Sequence, residues 1–230
     1  MKVLLFSILT CILSLFPGIL LSQEAATVAD RVYGLDQTLY NGKKYNYFLP
    51  AGTHGNQYLL SEEFAEGSVT IKGTSYQNLR LNFDILNQQL LLKYKDETGA
   101  LNIIEVSKAW LEGFSLGTMQ FECLSLGENP RFFQVLGSGQ YRILYFWRKS
   151  LDMVAAVGSS DFTFSAAVKD SYVLMNGQLK PFRNRHGLVS LFGRTHRQEI
   201  KSYLHRNKIR IRKASDQVLA DMITFIGNLK

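Results

Sequence analysis

Apolar side chains recur at every second position through the middle of the chain, and this pattern constrains the fold most. In residues 79–85, Leu79, Leu81, Phe83 and Ile85 alternate with Arg80, Asn82 and Asp84. A period of two predicts a half-buried β-strand. Further candidate strands follow at 90–94, 101–106, 119–124, 132–136, 141–148 and 162–168. Because short turns separate these runs, residues 40–182 are predicted to form an antiparallel β-rich meander.

The clearest turn signal lies near the end of this region. Asn176-Gly177 separates the apolar runs 172–175 and 179–182. An Asn-Gly pair between two strand-like runs is typical of a two-residue β-hairpin turn. The sequence therefore predicts a hairpin centred on these two residues.

The hydrophobic period changes after Arg185, which predicts about three helices in residues 186–230. Leu188, Leu191 and Phe192 indicate a short helix, and Ile200, Tyr203 and Leu204 a second one. The apolar face of the third is predicted to comprise Val218, Leu219, Met222, Ile223 and Ile226, with Ser215 as N-cap. Helices packed on the sheet would give an α+β fold in a single mature domain, residues 23–230.

Residues 1–22 are typical of a secretory signal peptide. Lys2 precedes an apolar run that Pro17-Gly18 interrupts, and no basic cluster follows it. Ser22 supplies a small residue before cleavage, so the mature chain is predicted to begin at Gln23 or a few residues later. We therefore expect a periplasmic or secreted protein, with peripheral association with the envelope membrane as one form of that location.

Positive charge is concentrated at the C-terminal end. Residues 176–230 contain 12 Lys and Arg against 3 Asp and Glu, whereas residues 23–175 contain 13 against 16. Such asymmetry predicts a polyanionic partner. An anionic membrane surface, a phosphorylated glycan and an acidic protein all fit, and export argues against nucleic acid.

The strongest candidate for an anion- or partner-binding site is the group Arg206, Lys208, Arg210, Arg212 and Lys213. Alternation of cations with Ile209 and Ile211 predicts an extended segment. Lys208, Arg210 and Arg212 would then project to one side, and the two isoleucines would anchor the segment. The competing interpretation is that charges on an edge strand only prevent aggregation.

A search for catalytic chemistry finds no familiar motif, so no catalytic residue, cofactor or metal is predicted. After signal cleavage Cys123 has no cysteine partner, and it is interpreted as a buried small hydrophobic residue. His54 lies on a glycine-flanked loop and Glu62, Glu63 and Glu66 form an acidic cluster. Four aromatic residues near the mature N-terminus could stack on sugars if exposed, namely Tyr40, Tyr45, Tyr47 and Phe48. Tyr45 and Tyr47 stand at alternate positions, and such aromatics more often cover a sheet face.

The order of these features resembles a family of uncharacterised exported proteins of Bacteroidetes-type Gram-negative bacteria. The matching residues in the body are Gly67-Ser68-Val69-Thr70, Tyr76, residues 79–85, residues 132–136 and Gly139. Those in the tail are Leu191, Phe192, Ile200, Tyr203, Leu219 and Phe225. The resemblance implies export and this fold, and it brings no functional residues with it.

The leading hypothesis is a non-enzymatic envelope protein that binds a partner or surface through its basic C-terminal region. One alternative is a hydrolase of envelope or extracellular polymers, with a site around His54 and Glu62 to Glu66. Another is a carrier that holds an apolar ligand inside a curved sheet.

Overall fold

A computed structural model describes residues 35–125, 129–156 and 159–229. Within these ranges the chain forms 14 strands followed by three helices. The strands are β1 Lys43–Lys44, β2 Thr53–His54, β3 Ala65–Ile71, β4 Thr74–Asp84, β5 Gln89–Lys95, β6 Leu101–Glu105, β7 Leu111–Leu116, β8 Met119–Leu124, β9 Arg131–Leu136, β10 Arg142–Arg148, β11 Leu151–Ala156, β12 Ser159–Phe164, β13 Val168–Met175 and β14 Gln178–Phe182. The helices are α1 Arg185–Ser190, α2 Arg194–Arg206 and α3 Asp216–Gly227. The predicted α+β class, a largely antiparallel body followed by C-terminal helices, is confirmed.

Eleven strands form one sheet in the order β1-β6-β5-β4-β3-β7-β8-β9-β10-β13-β14. Two antiparallel meanders, β3 to β6 and β7 to β10, lie side by side because β3 pairs with β7. A separate three-stranded sheet has the order β11-β12-β2, and there β2 runs parallel to β12. A single continuous meander was therefore too simple a prediction.

Two hydrophobic cores line the large sheet. The first is centred on four phenylalanine rings, Phe83, Phe114, Phe121 and Phe132. Their ring centroids lie 4.5–5.5 Å apart, mostly edge to face. The second, the helix-side core, joins β10 and β13 to the three helices.

Two predicted strands differ in detail from the structure. Asn82 and Asp84 are 1% and 0% exposed, so both faces of β4 are covered near its end rather than one. The side-chain amide of Asn82 donates to the carbonyl of Ser61, and Asp84 accepts from Tyr45, which explains how these polar groups are buried. The predicted strand 162–168 is also wrong in extent, because β12 ends at Phe164 and β13 begins at Val168.

The Asn176-Gly177 hairpin is confirmed between β13 and β14. The φ angles of the two turn residues are +51° and +72°. Both central residues of a type I′ turn need positive φ, and asparagine and glycine tolerate it best. The local sequence thus fixes this register, with Met175 opposite Gln178.

The third helix packs on the sheet largely as its periodicity predicts. Leu219, Met222, Ile223 and Ile226 are at most 2% exposed. The hydroxyl of Ser215 accepts a hydrogen bond from the amide of Val218, which confirms the predicted N-cap. Val218 itself was wrongly assigned to the buried face, since it is 37% exposed. It lies at the edge of the apolar stripe, where a helix turns its side chains toward solvent.

Candidate anion-binding surface

The connection between α2 and α3 begins with a tight helix-terminating motif. Asn207 caps α2, and Lys208 adopts a φ of +53°. The amide of Lys208 donates to the carbonyl of His205 at 3.1 Å, and that of Ile209 donates to the carbonyl of Leu204 at 2.9 Å. This pair of hydrogen bonds defines a Schellman motif, in which the left-handed position usually holds glycine. The chain therefore leaves α2 through a sharp reversal at Lys208.

A single turn of helix-like backbone follows at 210–214. The carbonyl of Arg210 accepts from the amides of Lys213 and Ala214 at 2.8 and 2.9 Å. The predicted extended segment is therefore wrong. Burial still alternates along the segment. Ile209 and Ile211 pack on the helix-side core, whereas Lys208, Arg210 and Arg212 are exposed.

The basic segment, defined as Arg206, Lys208, Arg210, Arg212 and Lys213, is exposed along its whole length. The ion pairs among the described residues are Arg142–Glu122, Arg148–Asp170 and Lys169–Asp216. None of them includes a member of the basic segment. Its charges are therefore available to an external anion.

A cavity of about 500 Å³ opens beside the basic segment. Four cations line this basic cavity, namely Arg148, Lys169, Arg183 and Arg212. The guanidinium of Arg212 donates to the carbonyl of Arg183 at 3.3 Å, which draws the basic segment to the end of β14. Asp170 also lines the cavity and pairs with Arg148 at 3.0 Å. The cavity walls therefore carry four cations against one acid, and positive charge is in excess.

Lys169 is held at the cavity wall by aromatic rings. It lies opposite Trp147 in the β10–β13 register, and its Nζ is 3.7 Å from the ring centroid of Tyr145. Burial lowers the pKa of the Lys169 ammonium, and Asp216, 3.8 Å away, opposes that shift. A partly desolvated cation of this kind gains from a further anionic partner.

A buried polar relay fixes α3, and with it the end of the basic segment, against the sheet. The indole of Trp147 donates to Oε1 of Gln134 at 2.8 Å. The amide nitrogen of Gln134 in turn donates to Oδ2 of Asp216 at 2.6 Å. Gln134 is 1% exposed, so both hydrogen bonds are shielded from water. Together they help to hold α3 on the sheet.

Sequence reasoning found Arg212 but missed the other three cations of the basic cavity. Arg148, Lys169 and Arg183 come from the end of β10, the start of β13 and the residue after β14. No local spacing links them. Only the cross-strand register and the placement of the helices bring them together.

Two nearby arginines have structural roles instead. Arg185 donates to the carbonyl of Lys201 at 3.0 Å. Arg197 donates to the carbonyls of Phe192 and Ser190 at 2.9 and 3.0 Å. These guanidinium groups satisfy backbone carbonyls in and between α1 and α2, so part of the regional charge serves the fold.

Among the described residues, no hydrogen bond or ion pair joins His54 to an acid of the alternative hydrolase site. His54 is exposed in β2, opposite Thr163. Glu62 and Glu63 line one cavity, whose walls do not include His54, and Glu66 lines another. In the described part of the chain, no cluster of three or more His, Cys, Asp or Glu side chains is placed to hold a metal ion.

Cys123 packs at the edge of the phenylalanine core and is half-buried. Burial raises the pKa of its thiol, and Lys108 lowers it to a lesser extent. A raised pKa reduces the thiolate fraction at neutral pH, which weakens the residue as a nucleophile. Its packing agrees with the interpretation as a small hydrophobic residue, though it is less buried than expected.

Neither a family of known proteins, nor a curated protein, nor a solved structure is similar to this chain. The resemblance to exported proteins of Bacteroidetes-type bacteria therefore stays a prediction. Among the residues that the structure covers, no helix has the length and apolar character needed to cross a membrane.

Proposed function

We propose that this chain is an exported, non-enzymatic binding protein that attaches to an anionic membrane surface of the envelope. The basic segment would contact lipid phosphates, and the basic cavity would receive one head group. The observation that carries the proposal is the junction of the two features at Arg212, where unpaired exposed cations meet a concave cationic site.

The charge arrangement favours a phosphate-bearing surface over a single small anion. Residues 180–213 contain 11 Lys and Arg against one acid, Glu199. The five cations of the basic segment, which take part in no ion pair among the described residues, are distributed along an exposed segment rather than clustered around a single point. Arginine's planar fork suits phosphate oxygens, and a broad cationic surface is attracted to anionic lipid.

Co-sedimentation with lipid vesicles tests the proposal. The wild-type protein should bind vesicles of phosphatidylglycerol and phosphatidylcholine, should not bind phosphatidylcholine alone, and should be released as salt rises from 50 to 500 mM. Replacing both Arg210 and Arg212 by Glu should weaken binding at least about 30-fold, since each cation near an anionic surface contributes about 1 kcal/mol.

The matched control is the double change Lys43→Glu and Lys44→Glu. These lysines are exposed on β1, at the opposite edge of the sheet, and the net charge changes equally. The control should retain most of the binding at unchanged melting temperature. Equal losses in both double variants, or no binding of the wild type, would show that the surface is not a specific membrane site.

A further inference from the structure

A second open cavity, the tyrosine cleft, lies on the other part of the sheet and has a volume of about 780 Å³. Its walls include Tyr45, Tyr47, Glu62, Glu63, Arg80 and Lys93. The first two follow β1, the acids precede β3, and the cations belong to β4 and β5. None of these residues contributes to the basic cavity.

The cleft contains a fixed aromatic platform. The rings of Tyr45 and Tyr47 lie 6.4 Å apart at an interplanar angle of 15°. The hydroxyl of Tyr45 donates to Oδ2 of the fully buried Asp84 at 3.0 Å and accepts from the side-chain amide of Gln57 at 3.0 Å. Tyr45 is therefore held in one orientation before any ligand arrives.

Tyr47 is the half of the platform whose hydroxyl no described residue of the protein engages. The structure gives its side chain a ring contact with Tyr45 and no hydrogen bond among the described residues. The neighbouring side chain of Phe48 is 91% exposed, and that of Leu49 is 41% exposed. Apolar side chains left in water beside a polar cavity are typical of a ligand-binding rim.

The walls of the cleft also include charged groups of both signs. Arg80 lies directly across from Lys93 in the β4–β5 register, an arrangement of like charges that destabilises a sheet. Glu62 and Glu63 line the same cleft, yet no ion pair joins either acid to either cation within the ranges the structure covers. Charged donors and acceptors in the described part of the chain therefore line the cleft without forming ion pairs with one another.

From this geometry we infer that the tyrosine cleft binds a neutral saccharide. A sugar presents an apolar ring face to an aromatic platform and hydroxyl groups that both donate and accept hydrogen bonds. The two acids and two cations of the walls balance, so the cleft has no net charge that would favour an anionic or a cationic ligand. An apolar ligand would desolvate these charged groups without compensation. The open form of the cleft lets a longer chain extend beyond it.

The inference does not rest on the proposed membrane attachment. It concerns different residues and an uncharged ligand. Saccharide binding should be indifferent to salt between 50 and 500 mM, whereas vesicle binding should fall steeply. Failure of one property is thus distinguishable from failure of the other.

The test measures binding of four neutral trisaccharides, namely maltotriose, cellotriose, triacetylchitotriose and mannotriose, to the full mature chain by ligand-observed NMR and calorimetry. At least one should bind saturably. Tyr47→Ala should weaken that binding about tenfold by removing the stacking face, and Tyr47→Phe should retain it. Glu62→Gln should weaken it without changing the melting temperature, because the acid makes no ion pair.

The matched control is Trp110→Ala. Trp110 is another exposed aromatic residue, 47% accessible and lying under Lys72, and it does not line the cleft. Its replacement should leave saccharide affinity unchanged. The inference fails if none of the four saccharides binds, if Tyr47→Ala binds as tightly as the wild type, or if Trp110→Ala weakens binding equally.

Discussion

At the scale of single residues, Lys208 serves two opposed requirements. Its positive φ ends α2 and directs the chain into the basic segment. A side chain with a Cβ is disfavoured in this conformation, so the backbone is strained there. The side-chain charge adds to the proposed anion-binding surface, which would give a reason for a lysine where glycine would fit better.

We predict that Lys208→Gly separates the two effects. The free energy of unfolding should rise by about 1 kcal/mol, because glycine adopts the left-handed conformation without strain. Binding to anionic vesicles should weaken several-fold through loss of one cation. Thermal melting and co-sedimentation measure the two results.

The control for this prediction is Lys213→Gly, which removes the same charge at a residue without positive φ. It should weaken vesicle binding similarly and should not stabilise the fold. If Lys208→Gly lowered the melting temperature as much as Lys213→Gly, the strain at Lys208 would be absent.

At the scale of elements, α3 positions one end of the basic segment. Its apolar face packs on β9 and β10, and its first residue, Asp216, receives the hydrogen bond from Gln134. Gly137 lies under this helix, close to Ile223, where a Cβ would collide with the isoleucine side chain. The docking of α3 therefore places Asp216 beside Lys169, which lines the basic cavity.

We predict that Leu219→Asp unfolds this region, whereas Val218→Asp is tolerated. Leu219 is 1% exposed, so the variant would bury an unpaired carboxylate at a cost of at least about 3 kcal/mol. Val218 is 37% exposed, and Asp there should cost less than about 1 kcal/mol. Chemical denaturation of both variants gives the comparison, and equal destabilisation would contradict the packing of α3.

At the scale of the whole molecule, the eleven-stranded sheet contributes strands to both proposed sites. The four phenylalanine rings pack against one another in the first core. The two proposed sites involve other residues. The basic cavity lies at β10, β13 and β14, and the tyrosine cleft involves β4, β5 and the segments around β1 and β2.

We predict that the mature protein begins at Gln23 or within a few residues of it. Ser22 provides the small residue that signal cleavage requires, and the apolar run before it is interrupted by Pro17-Gly18. Residues 1–22 lie outside the described residues, so an experiment must decide. Intact-mass measurement of the protein from an envelope fraction is that experiment, and a cytosolic chain retaining Met1 would contradict export.

Local sequence determined the features whose physical cause is local. The Asn176-Gly177 turn and the cap at Ser215 each depend on neighbouring residues alone. The same reasoning failed at residues 208–213. Burial alternates there because the left-handed Lys208 and the short turn after it direct Ile209 and Ile211 toward the helix-side core. A period of two in the sequence does not distinguish such a turn from a β-strand.

Tertiary structure alone decided which distant residues meet. The pairing of β3 with β7, the parallel contact of β2 with β12, and the burial of Asn82 and Asp84 depend on where the chain returns. Sequence composition predicted a basic C-terminal region. Strand register places Arg148 and Lys169 in the wall of the basic cavity, and the fold brings the hydroxyl of Tyr45 within hydrogen-bonding distance of Asp84. Periodicity reports which face of an element is buried, whereas a binding site depends on which elements lie beside one another.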